Sequence, residues 1–136
     1  MDAEQAREFI RSNDRAVLAT TRADGRPQLS PVTAGVDEQG RVVVSTREPS
    51  MKVRNLRRDP HASLCVFTES FFGPWVRVDG TVEIVELPEA MEGLVAVYRA
   101  VKGEHPDWDE YRQAMVDQQR VLLALTITEA GPNQEG

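Results

Sequence analysis

Three apolar, β-branched runs separated by two turn clusters fill the first third of this chain, and they constrain its fold more than anything that follows. The first run covers residues 16–22, and Ala23-Asp24-Gly25 supplies the turn after it. Residues 28–36 return as the second arm. Asp37-Glu38-Gln39-Gly40 is the next turn, and Arg41-Val42-Val43-Val44-Ser45-Thr46 is the third run. Turns this short join antiparallel neighbours, because a parallel pair needs a crossover of a dozen residues or more. An antiparallel sheet is therefore expected.

Residues 2–11 carry Ala6, Phe9 and Ile10 at spacings of three and one, which suits a short amphipathic helix capped by Asp2. Pro49-Ser50 opens a second helix, in which Val53 and Leu56 face inward; Asp59-Pro60 ends it. Strands follow at residues 62–69 and 74–85. Helical spacing returns over residues 87–101 and 107–116, and residues 121–127 close the chain as a strand. Six strands and three or four helices predict an α+β fold: a six-stranded antiparallel barrel with peripheral helices. With 136 residues there is material for one core. Residues 1–128 are expected to form that domain, and residues 129–136 a flexible tail.

Charge narrows the function. The chain carries a net −6, against the broad basic face that general nucleic-acid binding needs. No apolar run approaches the ~20 residues of a bilayer span. The polar, acidic residues 1–5 do not read as a signal peptide, so no membrane partner and a cytoplasmic location are expected. Cys65 is the one cysteine, and His61 and His105 lie far apart, so no metal site is expected. No Gly-x-Gly pair exists to announce a dinucleotide fingerprint or a phosphate loop. The charge is nevertheless uneven. Residues 45–60 hold five bases against two acids, whereas residues 83–117 hold nine acids against three bases. A cation about 4 Å from a phosphate is worth roughly 4 kcal/mol at an effective dielectric of about 20, far more than dispersed charge beyond a screening length of about 8 Å. An anion can dock at the first stretch.

Within it, Ser45 and Thr46 leave a strand, free amides open a helix near Ser50, and Lys52 and Asn55 lie three apart on that helix. Together these groups can hold a phosphate; they equally suit a solvated basic helix covering the sheet. Trp75, in Gly73-Pro74-Trp75-Val76-Arg77, suits either stacking on an aromatic ring or packing in a core or interface. Pro31 interrupts a strand, so that strand is at an edge, bulged, or adjoining a ligand.

Residues 17–30 resemble the opening hairpin of the pyridoxamine 5′-phosphate oxidase-like flavin and deazaflavin oxidoreductases. Lys52-Val53-Arg54-Asn55-Leu56-Arg57-Arg58-Asp59-Pro60 is similar to the phosphate-binding helix of the branch using coenzyme F420, an 8-hydroxy-5-deazaflavin, and residues 98–123 are similar to that branch as well. The resemblance implies a split β-barrel homodimer with cofactor sites at the subunit interface. It places Ser30, Pro31 and Val32 along the deazaflavin ring, and Ser45, Thr46, Lys52 and Asn55 at the phosphate and ribityl chain. Trp75, Val76 and Arg77 would line the site, from the other subunit. Arg54, Arg57 and Arg58 would either meet the cofactor's acidic tail or stay solvated. The implied activity is hydride transfer from reduced F420 to an electron-poor small organic substrate. FMN in the same groove, or a cofactor-binding or storage protein without turnover, are the alternatives. No catalytic proton donor is assigned; Tyr98 and Tyr111 qualify only by type. Two departures stand out: Pro31 replaces a polar residue of some relatives, and the chain after Ile127 lacks their aromatic or imidazole tail.

Overall fold

The computed structural model describes residues 1–132. Ten elements follow one another: α1 (Ala3–Ser12), β1 (Arg15–Thr21), β2 (Pro27–Val36), β3 (Val42–Arg47), α2 (Met51–Arg58), β4 (His61–Phe67), β5 (Trp75–Val85), α3 (Met91–Lys102), α4 (Trp108–Asp117) and β6 (Arg120–Gly131). The strands close an antiparallel barrel in the order β1-β2-β3-β6-β5-β4, as the α+β barrel expectation required. Asp2 caps α1 with a reciprocal bond to Gln5. Gly25 carries the positive φ of the β1–β2 turn.

Alternation explains the interior. Leu18 of β1, Leu64 and Val66 of β4, and Val76 and Val78 of β5 point inward, where α1 adds Ala6 and Ile10 and α2 adds Val53 and Leu56. β3 and β6 read as unbroken apolar runs because both of their faces are covered. Val42, Val44, Leu123 and Leu125 fill the barrel. Val43, Leu122 and Ala124 pack outward beneath Leu94 and Val95 of α3 and Tyr111 and Met115 of α4. At Gly80 the β5–β6 ladder shifts register, and a Cβ there would lie 2.0 Å from the Thr126 carbonyl oxygen. Only glycine fits.

One boundary needs correcting. Glu129, Ala130 and Gly131, expected in the tail, belong to β6: they pair with Asp79, Val78 and Arg77, and Ala130 is buried. Backbone pairing to a neighbouring strand extends β6 past the apolar run that signalled it. Residues 133–136 of that expected tail lie outside the described residues.

The feature that matters for function is a divergence between β2 and β3. β2 pairs with β1 from Pro27 to Thr33, but with β3 only at Ala34, Gly35 and Val36. β3 stays paired with β6 along its whole length, to Arg47. Pro31 therefore sits on a stretch whose second edge is free of a strand partner, where its missing donor costs nothing. Of the three readings for this proline, the edge is the one observed.

Candidate functional site

A cavity of about 560 Å³ opens where β2 and β3 separate. Pro31, Val32 and Thr33 of β2 form one side, Ser45 and Thr46 of β3 its floor, and Lys52 projects from the first turn of α2. Tyr98 and Lys102 of α3, His105 of the α3–α4 connection and Tyr111 of α4 face them. Its size is that of a small-molecule or cofactor pocket.

Of the five bases in residues 45–60 only Lys52 lines this cavity, and the other two cations come from α3 and β6. Lys52, Lys102 and Arg120 line the cavity against one carboxylate, Glu110. Burial, reinforced by nearby Arg47, holds the Arg120 guanidinium below its usual pKa; it remains a cation at neutral pH. Lys52 makes no ion pair or hydrogen bond among the described residues. Ser50 precedes α2 but gives it no side-chain cap, and its Oγ is buried without a hydrogen-bond partner. Uncapped first-turn amides, a free ammonium beside them and two strand hydroxyls make an anion cradle.

Five of the ten anticipated residues thus meet in one cavity: Pro31, Val32, Ser45, Thr46 and Lys52. Ser30 lies next in β2, with its Oγ buried and unpartnered. Asn55 does not join them. It is buried, donates from Nδ2 to Thr20 Oγ1 at 3.1 Å and accepts from Arg58 through Oδ1 at 3.3 Å. Its spacing from Lys52 is helical, but the turn carries it round towards β1.

Trp75, Val76 and Arg77 do not line this cavity within one chain. Val76 points into the barrel core. Arg77 is held by Asp79 at 2.8 Å and Glu129 at 3.2 Å, and Trp75 is 41% exposed. Phe71 and Phe72, just before it in the chain, are 77% and 95% exposed; Leu29, on β2, is 61% exposed. Of the three arginines expected to meet an acidic tail, Arg57 is engaged by Glu48 at 2.6 Å and Glu86 at 2.8 Å. Arg54 and Arg58, with Arg22, instead border a separate hollow of about 530 Å³ beside the β1–β2 turn.

The sequence reading missed the aromatic wall. Tyr98, His105, Trp108 and Tyr111 form one cluster, with ring centroids 4.9–5.8 Å apart. Spacing within α4 could have flagged Trp108 and Tyr111, but their meeting with Tyr98 depends on how α3 packs against α4. Tyr111 is a bolt rather than an acid: its hydroxyl donates to the Leu94 carbonyl at 2.8 Å, and burial raises its pKa. Burial likewise pushes the Cys65 thiol up, away from thiolate chemistry. Among the described residues, no group of three or more His, Cys, Asp or Glu side chains is placed to share a metal ion, and no helix is long and apolar enough to cross a membrane.

Comparison with known proteins places this geometry. The family model described as Pyridoxamine 5′-phosphate oxidase matches residues 3–133. A conserved hypothetical protein of Mycobacterium tuberculosis superposes over 100% of this chain and 92% of its own, with a TM-score of 0.79 and 26% identity. A structure titled F420 reductase has a TM-score of 0.70 at 21% identity, covering 91% of this chain and 94% of its own. The heme storage protein of Vibrio cholerae gives 0.71 at 20%, covering 94% and 92%. At those last two identities the likeness is one of fold alone.

Proposed function

The chain belongs to the pyridoxamine 5′-phosphate oxidase family, and from that premise we propose that it is an oxidoreductase that binds coenzyme F420 in the β2–β3 cavity and reduces an electron-poor small organic molecule. The observation that carries this reading is the unpaired Lys52 ammonium at the uncapped start of α2, on the wall of a cavity with a net positive lining. The donor set suits a ribityl phosphate: Ser45 and Thr46 hydroxyls, helix amides and one cation. FMN carries the same phosphate on the same chain. The choice of F420 is supported by the resemblance of residues 52–60 to the F420 branch, and by a structural neighbour named as an F420 reductase.

When bound, the cofactor supplies the hydride chemistry; the chain's task is to hold it, present one ring face and exclude water. Lys52 and the first-turn amides of α2 fix the phosphate. Val32 and Pro31 offer an apolar edge to a ring, and Pro31 contributes no hydrogen bond from its nitrogen. Tyr111 keeps α3 and α4 together through Leu94, which maintains the facing wall. No side chain of the cavity is assigned as proton donor, and solvent suffices in that role.

The same reading includes a homodimer. Trp75 and Arg77 stand outside the cavity of their own chain, and the exposed Phe71, Phe72 and Leu29 offer the kind of apolar surface that marks an interface. A second copy would cover Phe71 and Phe72 and bring Trp75 and Arg77 to its partner's cofactor. An acidic cofactor tail would meet Arg22, Arg54 and Arg58 across the second hollow.

Dissociation constants for F420 and FMN on the purified protein, combined with its solution mass, test the proposal. Tighter F420 binding to a dimer, with oxidation of reduced F420 by a panel of quinones, enones and nitro compounds, is the expected result. Tighter FMN binding rejects the cofactor, a monomer rejects the assembly, and binding without any turnover leaves a storage protein.

A further inference from the structure

The wall facing β2 carries chemistry that holding a phosphate does not use. Tyr98, His105 and Tyr111 all border the cavity. Tyr98 and His105 are half-buried, with ring centroids 5.1 Å apart. Behind them, Trp108 is fixed by an Nε1 donation to Glu104 at 3.1 Å and by Arg99, whose guanidinium lies 4.8 Å from the indole centroid and pairs with Glu104 at 2.6 Å. The rings are braced before any ligand arrives.

His105 has a defined donor. Its Nδ1 accepts the Asp107 amide proton at 2.9 Å, which assigns the proton of the neutral imidazole to Nε2. Among the described residues that N–H has no acceptor, since the only hydrogen bond of the ring is the one through Nδ1. Lys102 lies close by, its Nζ 5.6 Å from the Tyr98 ring centroid. An aromatic cage for a cation is the obvious competing reading. It fails on charge: Arg99 and Lys102 already lie beside Trp108 and Tyr98 and would repel a further cation, and among the described residues Glu110 is the one carboxylate on the cavity. With Lys52 given to a phosphate, Lys102 and Arg120 still outnumber it. An aromatic ring can stack where these side chains already form an aromatic surface, and the charge around it favours a negative substituent.

We propose that Tyr98, Lys102 and His105 form a subsite for a planar aromatic anion, whose ring packs on Tyr98, whose negative group lies toward Lys102, and which carries a second oxygen able to accept the His105 Nε2 proton in a hydrogen bond. That this anion is the molecule reduced rests on the oxidoreductase reading above; the subsite itself rests only on the wall.

Calorimetric titration of the full chain with 4-nitrobenzoate and 4-nitrobenzamide, without cofactor, tests it, because the two probes share shape and nitro oxygens and differ in charge. The anion should bind roughly tenfold more tightly, the scale of one charge-assisted contact. Lys102→Gln should erase that preference. His105→Phe keeps a ring but removes the N–H, and should weaken both probes by roughly fivefold, the scale of one net neutral hydrogen bond, while leaving the preference for the anion. Equal affinity for the two probes, no binding of either, or a preference that survives Lys102→Gln overturns the subsite. Lys102 is exposed, so its variant keeps the test decisive if His105→Phe fails to fold. F420 affinity measured on the same samples separates the two readings. Anion preference without F420 binding sinks the cofactor assignment and leaves the subsite, whereas F420 binding without anion preference sinks the subsite alone.

Discussion

Lys52 and Asn55 stand less than one turn apart on α2, yet they face different problems. Asn55 is buried and tied to Thr20 and Arg58; Lys52 reaches a cavity, and its side chain makes no hydrogen bond or ion pair among the described residues. One side of the helix satisfies its polar groups internally and holds the barrel together. The other leaves a charge and several amides uncommitted. A polar group whose partners lie within the fold contributes stability, whereas one left without them at a cavity is met by water or by a ligand.

That contrast can be broken most forcefully at Lys52. Lys52→Ala should weaken F420 binding by roughly 1.5–3 kcal/mol, the range for a hydrogen bond to a charged group, while urea unfolding stays essentially where it was. An unchanged dissociation constant would put the phosphate elsewhere. Asn55→Ala should do the reverse. It strips the Thr20 hydroxyl of its partner in a buried setting, at a cost of roughly 1–2 kcal/mol in chemical denaturation, with cofactor affinity in the folded protein little altered. If affinity fell as steeply as with Lys52→Ala, the division of α2 into two sides would be wrong. The smallest effect belongs to Tyr111→Phe. Losing the bond to Leu94 should lower stability by about 1 kcal/mol, and turnover should keep both its rate and its pH profile, because this hydroxyl transfers no proton. A lost limb of the pH–rate profile would return Tyr111 to the catalytic candidates.

The same contrast explains what was legible in advance. The strands were readable because period-two alternation and turn chemistry are local: Gly25 needs its positive φ whatever surrounds it. Even the unbroken runs of β3 and β6 declared strands, though not which faces would be covered. That Ser45, Thr46 and Lys52 share one cavity was readable for a related reason, since they are neighbours in sequence and a strand-to-helix connection must bring them together. That Asn55 turns toward Thr20 rather than the cavity was not readable, because helical spacing gives an angle between side chains but not the direction of the barrel. The end of β6 was placed too early, because Glu129 and Gly131 carry no strand signal of their own and are held by pairing with β5.

Local sequence, then, determined an antiparallel barrel, its helices and a basic corner suited to a phosphate, because each depends on interactions spanning only a few residues. Only the tertiary structure decided that β2 and β3 part at Ala34 to open the cavity beside Pro31, and that Tyr98, Lys102 and His105 stand across from Lys52. Those arrangements bring together groups some fifty residues apart, and their geometry comes from how α3 and α4 pack over β3 and β6 rather than from any pattern along the chain.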